Sequence, residues 1–469
     1  MSAHGQLRGQ LREHRPSVLV AGLGTTFGVG LLTMTHVFEQ TVAADAAVAT
    51  SGTVSTMLDL VASVFVGLAL YVGAIVTANT FTTVVAGRTP TIALMRLLGS
   101  SARDQRRAVA REGLVVGVAG AVFGTVAGLA LVVVAVRVLA GQGRLPDLDY
   151  SFFSIGSVVP AVAVVLTTVA AAWVGSRRVL QVTPLQATDA AQDAPVAGGA
   201  RRVVRTVVAT LLVVGGGLLL AAGVVVGQAD PTGVLVAFAG GVLSFTGVVV
   251  GAHALMPAVL SGVGRLFGTS QVARLAAENA VRRPERSTRA TIGIVIGVTL
   301  VTTLSVALET LRTFIHSIEQ DPSYAAELDQ VFTTTLLVVA GLVGFSAVIA
   351  AVGMVNDMSL SVLQRRRELG LLRAIGSTAG QVRRMILLEA TQMALTAIVV
   401  GVVLGVAYGW VGAQALLGSA AQGQLIAPTL PVSLLVGLAV TAAVLAGVAA
   451  LVPARRATSV TPVQALAAR

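Results

Sequence analysis

Neither lysine nor cysteine occurs anywhere in these 469 residues, and each absence excludes a chemistry. Without cysteine there is no disulfide, no thiolate nucleophile and no Cys-ligated metal. Without lysine there is no P-loop, whose lysine reaches the β/γ-phosphates of a bound nucleotide, so the chain holds no Walker-type ATPase of its own. Aromatic residues make up only 4% of the chain and charged residues only 11%. A net charge of +11 could suggest nucleic acid, but such a binder needs a solvated basic face with aromatics on which bases stack, so nucleic acid is set aside as a partner. Five scattered histidines with no paired spacing give no metal ligand set.

What is abundant is aliphatic. Apolar residues reach 55% and mean hydropathy is +0.87, values that only an integral membrane protein combines with so few charges. The apolar runs predict ten spans, near 18–37, 57–85, 113–139, 153–174, 203–226, 233–256, 291–311, 331–355, 385–413 and 430–452. A basic start, the first apolar run and Ala44-Asp-Ala46 also fit a cleaved signal peptide. With both termini cytoplasmic, every arginine falls on the cytoplasmic side except Arg137, Arg144 and Arg312, as the positive-inside rule requires. External loops are short and lean acidic, so no sizeable extracytoplasmic domain is expected. The preference for arginine over lysine suggests a GC-rich bacterial genome, hence a multi-pass protein of the bacterial cell membrane.

The stretch from Leu363 to Glu389 lies between the eighth and ninth spans and is basic and partly apolar. Arg365, Arg366 and Arg367 suit the headgroup layer, while Leu369, Leu372 and Ile375, with Leu371 beside them, recur at helical spacing. Gly376-Ser377 predicts a helix stop followed by the cap of a second short helix. The result is a platform at the membrane face able to take a push from a soluble partner.

That platform occurs twice. Shifting the chain by 277 positions superposes Asn79 on Asn356, Arg88 on Arg365, Arg96 on Arg373, Gly99-Ser100 on Gly376-Ser377, Arg106-Arg107 on Arg383-Arg384 and Glu112 on Glu389, and brings Gly124 and Gly128 onto Gly401 and Gly405. A further match joins Arg177-Arg178 and Val182-Thr-Pro-Leu-Gln-Ala187 to Arg455-Arg456 and Val460-Thr-Pro-Val-Gln-Ala465. The expected fold is all-α: two parallel four-helix repeats joined by two extra helices. Residues 1–187 form the first unit, 188–204 a cytoplasmic linker, 205–270 the joining spans five and six, and 271–469 the second unit. Because six spans separate corresponding points, both units enter the membrane in the same sense, unlike an inverted repeat.

At these residues the chain resembles the FtsX-like permease family, membrane subunits of ABC exporters of the MacB type. The resemblance rests on Arg365-Arg-Arg-Glu368-Leu-Gly370-Leu-Leu-Arg373-Ala-Ile-Gly376, on Glu389, and on Pro453-Ala-Arg-Arg-Ala457 with Pro462-Val-Gln-Ala465-Leu466. Two such units over ten spans look most like bacitracin-type resistance and peptide-sensing permeases, which carry a large extracellular domain that this chain lacks between spans seven and eight. The first copy is eroded, with Pro90 and Thr91 where the second has Arg367 and Glu368. The resemblance implies that two copies of a cytoplasmic ABC ATPase, carrying ATP and Mg, dock on Arg88, Arg96, Gly99, Arg106 and Arg107 in the first copy and Arg365, Arg366, Glu368, Gly370, Arg373, Gly376, Arg383 and Arg384 in the second. No catalytic residue and no cofactor are expected in this chain; membrane lipid and an extracellular or membrane accessory protein are further partners.

Other polar residues read structurally. Asn79 and Asn356 suit an interhelical hydrogen bond, and Glu112 and Glu389 suit pairing with nearby arginine at the starts of spans three and nine. Asp59 and Glu309 lie within reach of the outer face, His253 within reach of Glu278 or a helix cap, and Gly124/Gly128 and Gly401/Gly405 form small-residue packing faces. Three functions fit: an ABC exporter permease drawing a lipidic or amphipathic substrate from the bilayer, a signalling subunit that activates an extracellular or membrane partner, and an ion-coupled secondary transporter. The third needs midplane acids or broken helices, and the predicted span centres are almost purely aliphatic.

Overall fold

The computed structural model describes residues 15–43, 100–143, 148–152, 158–175, 199–267, 270–282, 284–318 and 366–441, with isolated positions in 60–75 and 443–447. The structure is 87% helical and no strand occurs among the described residues, so the chain is an all-α membrane protein. Helices suit these Val/Ala/Leu sequences because hydrocarbon offers backbone N–H and C=O groups no partner outside their own segment. Threonines are absorbed the same way: Thr25, Thr26 and Thr168 donate to the carbonyls of Ala21, Gly22 and Val164 one turn back, at 3.0, 2.9 and 2.6 Å. Among the described residues five helices are long and apolar enough to cross a membrane: Ala110–Gly141, Val203–Gly227, Gly233–Arg265, Thr291–Ser317 and Ala379–Leu417.

The chain divides into two compact units, Met1–Gly199 and Ala200–Arg469. In the first, α1 (Arg15–Ala43) packs along α2 (Ala102–Gly141), and α3 (Val158–Gly175) lies against both. Ala21, Val116, Val164 and Ala172 form one buried cluster and Val37, Val132 and Val136 another. At the far end of α1, the Gln40 amide grips both backbone groups of Ser151: Oε1 accepts from its N–H at 3.0 Å and Nε2 donates to its carbonyl at 3.1 Å.

The second unit contains α4 (Gly199–Gly227), α5 (Gly233–Arg265), α6 (Gln271–Arg282), α7 (Pro284–Ile318), α8 (Arg366–Ala374), α9 (Ala379–Leu417) and α10 (Val432–Thr441). The first of these begins inside the stretch expected to be a linker. α4 and α5 form a hairpin turned at Asp230, whose carboxylate accepts from the Thr232 N–H at 2.8 Å; that bond and one from the Thr232 side chain hold its pKa below the usual value. Against α9, the α5 helix contributes a hydrogen bond between Ser244 Oγ and Tyr408 Oη at 3.1 Å and an edge-on contact of Phe245 with the Tyr408 ring. The loop after α9 is pinned by Trp410 Nε1 donating to the Ile426 carbonyl at 2.7 Å and by Gln414, which receives the Ile426 N–H at 2.9 Å and donates to the Gln424 carbonyl at 3.0 Å. The Thr429 N–H donates to Thr310 Oγ1 at 3.2 Å, tying the same loop to α7.

The internal repeat has a structural counterpart. α2 and α9 begin at positions that the 277-residue shift superposes, Ala102 and Ala379, behind equivalent caps. The glycines then make equivalent contacts. Gly124 sits against Thr25 and Thr26 of α1 as Gly401 sits against Val298 and Thr299 of α7; Gly128 meets Val29 and the Thr26 carbonyl as Gly405 meets Thr302 and the Thr299 carbonyl. A β-carbon at Gly405 would stand 2.8 Å from that carbonyl oxygen, closer than side chains tolerate, so the spacing of α7 and α9 depends on its absence.

Candidate functional site

The second platform is built from α8, a corner and the start of α9. Glu368 lies exposed in the first turn of α8 and Arg373, half-buried, in its last, each favourable to the helix dipole. The expected apolar stripe is split between two faces. Leu369 is 4% exposed and Gly370 is also buried, whereas Leu371 and Ile375 are 52% and 76% exposed. Glu368 and Leu371 of α8 and Ile375, one residue past its end and still bonded to the Leu371 carbonyl, follow at i, i+3 and i+7, so they share one outward face. This face carries an acid and two large apolar groups directed away from the fold.

The corner is a tight backbone device. The Ser377 N–H bonds the Leu372 carbonyl at 3.0 Å and the Gly376 N–H bonds the Arg373 carbonyl at 3.2 Å, the paired bonds of a Schellman motif. Gly376 takes φ of +110°, which side chains with a β-carbon rarely adopt. The next helix starts one residue later than expected, at Thr378 rather than Ser377. Thr378 Oγ1 accepts from the Gln381 N–H at 3.2 Å while Gln381 Oε1 accepts from the Thr378 N–H at 2.8 Å, a complete capping box. Nor is that helix short: α9 runs unbroken over 39 residues into the membrane-spanning stretch. Arg383 and Arg384 lie exposed on its first turns.

Beside it lies α6, within the segment expected to be basic and cytoplasmic. Ala273, Ala276 and Ala280 are buried at i, i+3 and i+7, and Asn279 Nδ2 reaches Met385 Sδ of α9 at 3.7 Å. Its Arg274–Glu278 pair, 3.9 Å apart and well exposed on both sides, adds little. Glu389, 5% exposed, is followed one turn on by Gln392, which is wholly buried. Gln392 Nε2 donates to the Leu260 carbonyl of α5 at 2.7 Å. Gln392, Gln414 and Tyr408 carry the polar packing of α9 and were missed in a segment read as aliphatic.

The first copy is capped at the equivalent position. Ser101 Oγ accepts from the Asp104 N–H at 3.1 Å and α2 continues for 40 residues. Arg103, Arg107 and Arg111 are exposed along it, and Glu112 is half-buried. Arg106 lies in α2 and Arg366 in α8, with side chains outside the described residues; Arg88, Arg96, Gly99, Asn79, Asn356, Arg365 and Asp59 lie outside them altogether.

His253 corrects an expectation. Its Nδ1 lies 3.1 Å from the Val250 carbonyl, which can only accept, so that nitrogen carries the proton, and Nε2 lies 3.3 Å from Thr206 Oγ1 of α4. The ring therefore ties α4 to α5 rather than reaching Glu278. Glu309, expected to reach water at the outer face, sits half-buried 3.8 Å from Arg312. Among the described residues no three His, Asp or Glu side chains converge as a metal site.

The sequence pattern described as FtsX-like permease C-terminal matches residues 63–184 and again 340–462, together more than half of the chain. The chain is 28% identical over 145 residues to an uncharacterised ABC transporter permease, YknZ, of Bacillus subtilis, a match covering 30% of this chain and 34% of the relative. It is 31% identical over 131 residues to the macrolide export ATP-binding/permease protein MacB of Nitrobacter winogradskyi, covering 28% and 19%. It is 30% identical over 136 residues to the pyoverdine export ATP-binding/permease protein PvdT of Pseudomonas aeruginosa, covering 29% and 19%. The matches thus span about a third of the Bacillus permease and about a fifth of each export protein.

Proposed function

The chain belongs to the FtsX-like permease family, and from that premise we propose that it is the membrane subunit of an ABC exporter driven by separate cytoplasmic ATPase subunits. The observation that carries the reading is the outward face of α8. Leu371 and Ile375 are too exposed to serve the fold, and an exposed apolar pair beside an acid is the composition of a docking patch. The Gly376 corner and the Thr378 box join this patch to α9 with no unpaired turn between them, so a push on α8 is delivered to a helix that crosses the bilayer. The lack of lysine supports placing ATP and Mg in the partner. The substrate class that suits apolar span walls is a lipidic or amphipathic molecule taken from the bilayer, with the platforms at the cytoplasmic face of a bacterial cell membrane.

The experiment is reconstitution of the purified chain with its ATPase. ATP turnover should require the partner, and Glu368→Arg should lower coupled activity at least tenfold while leaving insertion intact. Full coupled activity in Glu368→Arg would overturn the docking role. Turnover stimulated by a cargo supports export, whereas turnover that responds only to an added membrane or extracellular protein would replace export by signalling.

A further inference from the structure

The two copies of the long helix differ on one face. In the second unit α5 covers α9, anchored through Gln392 and Tyr408. The repeat places Val115 and Leu131 of α2 at those two positions, and they are 36% and 48% exposed. The hydrogen-bonding groups that hold a neighbouring helix on α9 are thus replaced on α2 by aliphatic ones facing outward. At the basic end the change runs the other way: Gly380 and Leu388 of α9 correspond to Arg103 and Arg111 of α2, with Arg384 matched by Arg107.

Arg103, Arg107, Arg111 and Val115 follow at strict i+4 spacing and Val118 and Val122 continue the row, so all six lie on one slowly drifting face of α2. All six are exposed. The cationic part is about 12 Å long and the apolar part about 10 Å more at ~1.5 Å rise per residue. Asp104 sits to one side of this row and is engaged at the cap, where Ser101 Oγ donates to its Oδ2 at 2.6 Å.

We propose that this face of α2 binds an anionic phospholipid of the leaflet at its arginine-rich end, the phosphate held by Arg103, Arg107 and Arg111 and an acyl chain lying along Val115, Val118 and Val122. A guanidinium row matches phosphate oxygens in charge and donor geometry. A membrane helix as occupant is disfavoured because the polar anchors that seat one on α9 are gone. An arginine row serving only to orient insertion would give a diffuse attraction shared by every interfacial cation, so Arg274→Gln on α6 would weaken the preference as much as Arg111→Gln.

The test uses the full chain in mild detergent, titrated with phosphatidylglycerol or phosphatidylcholine and read by native mass spectrometry. Phosphatidylglycerol should be retained in preference, and the Arg103→Gln, Arg107→Gln, Arg111→Gln triple variant should lose that preference. About 1 kcal/mol for each interfacial arginine corresponds to about fivefold in affinity, so Arg111→Gln alone should lower it about fivefold and decides the matter should the triple variant fail to insert. Arg274→Gln on α6 should leave the preference unchanged. Equal retention of both lipids by the native chain, or unchanged preference in the arginine variants, overturns the proposal. So does a triple variant that keeps its lipid preference but no longer binds the ATPase.

Discussion

Gln392 is wholly buried, yet its two amide atoms are treated differently. Nε2 donates to the Leu260 carbonyl, whereas Oε1 has no hydrogen-bond partner among the described residues. A hydrogen bond contributes about 1 kcal/mol net, but a buried acceptor left unpaired costs about 1–3 kcal/mol. Gln392→Leu removes both terms and keeps the volume, so the variant should melt in detergent at or above the native temperature. Gln392→Glu, which places a charge there, should melt well below it. A large loss in the leucine variant would mean that a water or a moving group satisfies Oε1. Residues of this kind were poorly legible in the sequence, because a lone glutamine in an apolar run has no period and no motif. Gly124, Gly128, Gly401 and Gly405 were legible for the opposite reason: four-residue spacing on two matched helices is itself the signature of a packing face. His253 fell between these cases. Its burial near the end of a span could be anticipated, but choosing Thr206 over Glu278 depends on how α4 folds back on α5.

At the scale of elements, the corner between α8 and α9 gives the clearest expectation. Among the described residues a β-carbon at Gly376 would meet nothing within 4 Å, so a substitution there is penalised through the backbone. Gly376→Val should cost about 1–3 kcal/mol locally, since a β-branched residue does not hold φ near +110°. Hydrogen exchange should register this as at least tenfold faster exchange at the amides of 375–377, with the membrane stretch of α9 unchanged. Slow exchange across the corner in that variant would show that the Schellman bonds do not depend on glycine. The glycine stop was readable in advance because glycine followed by Ser-Thr is a strong break between two helical patterns. The length of α9 was not, because hydropathy marks where a helix enters hydrocarbon and is silent on how far it continues outside. The outward turn of Leu371 and Ile375 was hidden for a related reason: periodicity groups apolar residues on a face but cannot say what the face meets. α6 was obscured by its own alanines, too small to stand out in a basic segment, though their spacing was there to be counted.

For the whole molecule, the matched contacts of Gly124 and Gly401, and of Gly128 and Gly405, describe one packing scheme used twice in a single chain. On the exporter reading proposed above, paired ATPases drive the permease, so a chain carrying the platform sequence twice should assemble as one copy with two ATPase subunits. Native mass spectrometry of the purified complex should show that 1:2 ratio, and a 2:2 assembly would mean that the first platform, with Pro90 and Thr91, has lost its partner. The length of α9 bears on what such a motor could accomplish. At ~1.5 Å per residue the helix is about 58 Å long, nearly twice the ~30 Å hydrocarbon core. It packs on α7 at Gly401, Gly405 and Gly409 in turn, and Gln392 and Tyr408 tie it to α5. The middle of that glycine row, Gly405, lies about 39 Å from the corner end and about 18 Å from Leu417. Were α9 to rock about that row, a thrust at the Gly376 end would emerge at Leu417 reversed in direction, with roughly half the travel and twice the force.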